Sequence, residues 1–208
     1  LSHRSALRQR LSAENGLESP QRPFVVCAFP PDQYRGTEIG GYEVPSFKRL
    51  VSTWMELLLE ISQHANVLVR PHPRLAPEQL KGYETPHLRI TSQPTAEIVP
   101  AADLYVASIS ATIRWAIACG IPVINYDCYR YRYDDYRTAG GVVTVYAREE
   151  FREVSVRYFS DAPFAAQLKD RQRAVMADWG LLDVGFPRRL ADLVHRIVLK
   201  PGQTGRDH

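Results

Sequence analysis

The sequence predicts an α/β domain built on a doubly wound parallel sheet, and three observations carry that prediction. Residues 24–29 are a continuous apolar run and 66–69 a second strand that is apolar from Val67 to Val69, the pattern of strands buried on both faces. Segments of helical periodicity alternate with these and with further short β-rich runs, as a sheet wound by crossover helices requires. Residues 102–136, AADLYVASISATIRWAIACGIPVINYDCYRYRYDDY, read as strand, Ser-rich turn, helix and strand, followed by a loop crowded with Tyr, Arg and Asp.

In chain order, residues 1–22 form an N-terminal helix (2–14, closed by Asn15-Gly16) and a polar linker. Residues 23–200 make the domain, and 201–208 a polar, disordered tail. The first strand, 24–29, ends in Pro30-Pro31 and a long loop through Gly36, Gly40 and Gly41. A helix at 46–63 carries Phe47, Leu50, Val51, Trp54, Leu57, Leu58 and Ile61 as its apolar stripe, with Pro45 in the first-turn position that suits proline. The second strand, 66–69, runs into Arg70-Pro71-His72-Pro73-Arg74. A short helix (76–81), a short strand (88–90) and another short helix (95–101) follow. In the central unit the strand 104–107 leads to Ser108-Ile109-Ser110-Ala111-Thr112, whose hydroxyls stand where a helix starts and suit its N-cap. Gly120 ends that helix, Pro122 opens the strand 123–124, and 142–146 is a sixth strand. Helices at 148–159, 162–179 and 186–199 complete the chain.

A length of 208 residues suffices for one well-cored domain. Lys and Arg number 26 against 23 Asp and Glu, a balance that argues against nucleic acid as a partner. Cys27, Cys119 and Cys128 lack metal-ligand spacing, and Cys27 and Cys119 sit in apolar runs. They read as buried free thiols of a reducing, cytoplasmic compartment. No apolar run approaches the roughly 20 residues that span a bilayer, so any membrane association would be peripheral. A chain that opens on Leu1 rather than Met reads as a fragment or a trimmed form.

Three clusters fall at predicted strand ends, on the sheet edge where doubly wound folds bind ligands. In the first, Pro71 and Pro73 hold the chain extended and present His72 rigidly, while Arg70 and Arg74 can each bind a phosphate bidentately. The plainer reading is a stiff loop with solvated arginines. In the second, Ser108, Ser110 and Thr112 supply more hydroxyls than one cap needs, at a helix start that suits an anion. In the third, Tyr126 and Asp127 could hold a base or sugar by stacking and by accepting ribose hydroxyls, and Tyr129 to Tyr136 extend that surface. A self-paired surface loop is the plainer alternative. Glu97 is a cap residue of its short helix or a sugar contact, and Glu38 and Glu43 are the remaining carboxylates near a strand end. The loop at 36–43 lacks the glycine spacing of dinucleotide sites and the lysine of a phosphate loop. No residue set reads as a metal site, and no cofactor is called for.

The run VLVRPHP after a buried strand, followed by Ser108-Ile109-Ser110 and A-x-x-x-G-x-P-V-I from Ala116 to Ile124, resembles the donor-binding C-terminal half of GT-B glycosyltransferases. The closer likeness is to bacterial capsule and surface-polysaccharide enzymes of the Kdo-, sialyl- and CDP-glycerol-transferase type, and it covers residues 24–127. The resemblance implies a single Rossmann-like half, a CMP- or CDP-linked sugar donor and metal-independent transfer. It implies that His72 acts on the departing phosphate and that Ser108 and Ser110 bind its oxygens. The sequence departs from those enzymes in having Ser-Ile-Ser where they have adjacent hydroxyls. Their catalytic base lies in an N-terminal half for which 208 residues leave no room. Two other readings stand beside this one: a nucleotide-sugar 2-epimerase-like enzyme, which needs several carboxylates at the sugar, and a non-catalytic binding module of the same fold.

Overall fold

A computed structural model describes residues 3–34, 43–180 and 185–198. Six strands form one parallel sheet: β1 (Phe24–Ala28), β2 (Asn66–Arg70), β3 (Leu88–Ile90), β4 (Leu104–Ala107), β5 (Val123–Tyr126) and β6 (Val142–Val145). Their spatial order is β3-β2-β1-β4-β5-β6, every pair parallel. Chain order reverses between β1 and β4, which makes the carboxyl ends of those two strands the topological switch point.

Both faces of the sheet are covered, and alternate residues of each strand feed the two cores. Val25, Cys27, Val67, Val69, Leu104 and Val106 join one core with the stripe of α2 (Phe47–Ser62) and with Phe151 and Tyr158 of α6 (Arg148–Ser160). Phe24, Val26, Leu68 and Tyr105 join the other with Ile98, Ile113, Ile117 and the N-terminal Leu11 and Leu17. Continuous apolar runs therefore mark these strands because neither face meets water. The N-terminal helix α1 (His3–Asn15) is tied down as well. Arg8 Nη2 lies 2.7 Å from Asp103 Oδ2, and that same carboxylate oxygen accepts from the Phe24 N–H at 2.9 Å.

The remaining helices are α3 (Glu78–Lys81), α4 (Thr95–Ile98) with a tight turn at Val99–Ala101, α5 (Ile113–Ala118), α7 (Ala162–Trp179) and α8 (Phe186–Val198). Two local expectations are corrected. Pro45 precedes α2 instead of occupying its first turn; Ser46 is the cap, and its hydroxyl accepts the Arg49 N–H at 3.3 Å. The helix after β4 starts at Ile113, and no side chain caps it, so residues 108–112 form a turn and not a helix start. At its far end Gly120 has φ +68°. The Ile121 N–H reaches Ala116 O at 2.9 Å and the Gly120 N–H reaches Ile117 O at 2.8 Å, the two-bond closure that favours glycine. The predicted glycine loop at residues 36–41 and the tail 201–208 lie outside the described residues.

Candidate functional site

The switch point opens into a cleft of about 500 Å³. It runs across the carboxyl ends of five strands: Phe29 to Pro31 after β1, Arg70 to Pro73 after β2, Pro94 to Ala96 after β3, Ser108 to Thr112 after β4, and Tyr129 and Tyr131 after β5. Thus Arg70, His72, Pro73, Ser108, Ser110 and Thr112, drawn from two clusters about 35 residues apart in the chain, line one cavity. No described lining residue is Asp or Glu. With one guanidinium, one imidazole and several hydroxyls, the cleft suits an anion.

His72 is half-buried, and its Nδ1 accepts the Arg74 N–H at 3.2 Å. A neutral ring bonded this way carries its proton on Nε2. Burial first, then Arg74 and Arg70, lowers the ring's pKa below the ordinary histidine value, so at neutral pH the imidazole is an uncharged N–H donor. Arg74 contributes this backbone contact, but its exposed side chain does not line the cleft. Arg70 Nη1 donates to Pro71 O at 2.9 Å, which holds the guanidinium beside the stiff Pro-His-Pro segment.

After β4 the backbone turns sharply. Ile109 has φ +43°, a strained value for a β-branched residue. The Asn125 side chain, 2% exposed on β5, accepts the Ile109 N–H at 2.8 Å, and Tyr136 Oη donates to Ser110 O at 2.9 Å. Ser110 Oγ lies 2.7 Å from Thr112 Oγ1, which lies 2.5 Å from the Tyr105 hydroxyl. Tyr105 is fully buried and burial raises its pKa, so it stays a neutral hydroxyl, and either oxygen of the Tyr105–Thr112 pair can be the donor. When Tyr105 donates to Thr112 and Thr112 to Ser110, the Ser110 proton is left for a ligand in the cleft that Ser110 lines. Ser108 is buried, and its hydroxyl pairs with Cys128 Sγ at 3.2 Å. Of the two serines Ser110 is the more exposed, and both line the cleft. The Ser110 and Ala111 N–H groups have no protein acceptor among the described residues, and the turn presents consecutive donors of the kind that cradle anions.

Three candidate sugar or base contacts lie elsewhere. Tyr126 is buried in the core, stacked on Trp54 at 5.4 Å, with its hydroxyl donating to Glu43. Asp127, fully buried, accepts the Tyr131 and Arg132 N–H groups at 3.0 and 2.7 Å and so holds Arg130 and Arg132 at φ +54° and +55°. Glu97 is exposed and outside the lining, although its neighbours Pro94 to Ala96 belong to it. Glu43 is engaged by Tyr126 and by the Arg148 N–H at 2.9 Å, and Glu38 lies outside the described residues. The several carboxylates that an epimerase needs are therefore not supplied by the described lining. Sequence reasoning missed Trp115, a cleft residue 46% exposed on α5, and Thr95. Their strand-end placement is a signal only after the sheet order is known. Tyr129 and Tyr131 line the cleft at its β5 end, and Tyr129 Oη donates to Pro31 O, which ties that loop to the one after β1. Among the described residues no cluster of three His, Cys, Asp or Glu side chains could hold a metal ion, and no helix is long and apolar enough to cross a membrane.

No protein-family model matches the chain, and no curated protein matches it. Solved structures do. The wall teichoic acid polymerase TagF superposes with a TM-score of 0.62 at 13% identity, over 94% of this chain and 48% of that one. The glycosyltransferase of kitacinnamycin gives 0.54 at 15% identity over 87% and 43%, and the calicheamicin glycosyltransferase CalG4 gives 0.53 at 16% over 87% and 44%. These identities establish the fold alone: the chain has the architecture of one half of a GT-B glycosyltransferase. It spans about half the length of the structures it matches.

Proposed function

We propose that this chain is the donor-binding half of a glycosyltransferase that uses a CMP- or CDP-activated sugar in the cytoplasmic synthesis of a surface polysaccharide. The single observation that carries the proposal is the cleft at the switch point, without Asp or Glu among its described lining residues, where Arg70, His72 and Ser110 converge from two crossovers. In the reaction, the bond from the anomeric carbon to a phosphate oxygen breaks and a bond to the acceptor oxygen forms. Negative charge grows on the departing phosphate, and groups already aimed at that charge stabilise the transition state without reorganising. Arg70 contributes charge, His72 Nε2–H and Ser110 O–H contribute hydrogen bonds, and the Ser110 and Ala111 N–H groups complete the seat. The described lining holds no carboxylate to deprotonate the acceptor, so this reading assigns the base to a second, N-terminal half. The same fold without such a half would be a binding module. The kinship with Kdo-, sialyl- and CDP-glycerol-type transferases is the narrower part of the proposal.

The test is calorimetric titration of the chain with CMP, CDP and UDP. Wild type should bind a cytidine nucleotide, and His72→Ala and Ser110→Ala should each weaken it about tenfold or more, the scale of one or two lost charge-assisted hydrogen bonds. Unchanged titrations in both variants would overturn the site. Absence of any nucleotide affinity, even after joining to an N-terminal half, would leave the non-catalytic module. Formation of a 2-epimer from UDP-N-acetylhexosamine without acceptor would instead favour the epimerase.

A further inference from the structure

The C-terminal helix α8 (Phe186–Val198) belongs to neither core. Leu190, Leu193, Val194 and Ile197 are 46%, 47%, 50% and 67% exposed. At 3.6 residues per turn they fall within one third of the helix circumference, and nothing among the described residues covers them. Arg188, Asp192, His195 and Arg196 occupy the opposite arc, all exposed. Charge is segregated in the same way along the whole sequence. From Phe186 onward there are five Lys and Arg against two Asp and Glu, leaving 21 of each sign over residues 1–185, so the net charge of +3 resides entirely in this segment. An apolar stripe with a basic opposite face on a helix of low average hydrophobicity is what lies flat in a bilayer interface, and its charge complements anionic headgroups.

We propose that α8 is a membrane-surface helix that seats Leu190, Leu193, Val194 and Ile197 in the headgroup region of an anionic bilayer, with Arg188 and Arg196 toward lipid phosphates. A second copy of the chain or a neighbouring domain would also cover an apolar stripe, but neither calls for three Arg against one Asp, +2 of the chain's net +3, to sit on the same helix. The inference is independent of what the cleft binds.

The test is co-sedimentation of the 208-residue chain with phosphatidylcholine vesicles, with and without roughly one-quarter phosphatidylglycerol, alongside light scattering of the free chain. A monomer that binds the anionic vesicles at least about tenfold more strongly than the neutral ones is expected. Leu193→Glu with Ile197→Glu should abolish binding to both vesicles without lowering the melting temperature, since both side chains are already exposed. Arg188→Glu with Arg196→Glu should erase the preference for anionic lipid. Equal binding to both vesicles, no binding to either, or a dimer that Leu193→Glu dissociates would each overturn the proposal; the last assigns the stripe to a second copy.

Discussion

Replacing Asn125 with alanine tests how the cleft is built, because one amide serves both the fold and the seat. Its Oδ1 accepts the N–H of Ile109 at 2.8 Å and its Nδ2 donates to Thr144 Oγ1 at 3.3 Å. Alanine leaves the Ile109 N–H without its acceptor in a nearly closed site, a loss of about 1–3 kcal/mol; the longer bond to Thr144 adds about 0.5 kcal/mol. Ile109 can recover about 1–2 kcal/mol by leaving the left-handed region, but only by swinging Ser110 away from the cleft. Asn125→Ala should therefore lower stability by about 1–3 kcal/mol, a melting shift of roughly 2–10 °C for a chain of this size, and should weaken nucleotide binding more than stability alone explains. The control is Ile109→Gly, for which a positive φ carries no Cβ penalty. In that background the loss of Asn125 should cost measurably less binding, a coupling of at least about 0.5 kcal/mol in a double-mutant cycle. Melting curves and calorimetric titrations of the four proteins decide it. Strictly additive effects, or an Asn125→Ala protein that melts and binds like wild type, would refute the idea that this amide holds the turn in its strained form.

Two further outcomes follow from the same geometry. Burial, Arg74 and Arg70 depress the pKa of His72 in the free chain, and a phosphate seated beside the ring, as proposed, would raise it by favouring the charged imidazolium. Nucleotide affinity of wild type relative to His72→Gln, which keeps an N–H donor but cannot titrate, should rise as pH falls from about 8 toward 6.5; a flat ratio would remove the imidazole from the phosphate. The sign for stability is the reverse: the folded chain resists protonating His72, so its contribution is present above the unfolded value of about 6.5 and is lost as pH falls below it. Away from the site, a Cβ on Gly141 would stand 2.1 Å from Oε1 and 2.4 Å from Cβ of Gln172, which is wholly buried on α7. Gly141→Ala should destabilise by about 1–3 kcal/mol, and Gln172→Gly in the same chain, which removes both the Oε1 and the Cβ contact, should recover more of the melting temperature than Gln172→Ala, which keeps the Cβ. Without that rescue the clash is not the cause.

The layer architecture is written locally. Runs such as Phe24–Ala28 are apolar at every position because both faces are covered, and the prolines around His72 stiffen that segment wherever it lies. Gly120 marks a helix end through contacts within a few residues, so spacing alone locates it, whereas the cap at Ser46 lies one residue past the proline expected in the first turn. The hydroxyls at 108–112 are different. Their pattern allows a helix cap, and only the partners Tyr105, Asn125, Cys128 and Tyr136, brought in from three other segments, turn them into a strained loop that lines a cleft. Tyr126 and Asp127 look like ligand contacts in a loop rich in Tyr and Arg, yet one is spent on Trp54 and Glu43 and the other on backbone N–H groups four and five residues ahead.

What the residues determine by themselves is therefore the set of strands and helices, and the presence at two strand ends of basic and hydroxyl side chains suited to an anion. That those two ends flank one crevice depends on the order β3-β2-β1-β4-β5-β6, and strand order is settled by long-range pairing and burial between segments distant in the chain. No local pattern encodes those terms, and it was the tertiary fold that put His72 and Ser110 in the same cavity.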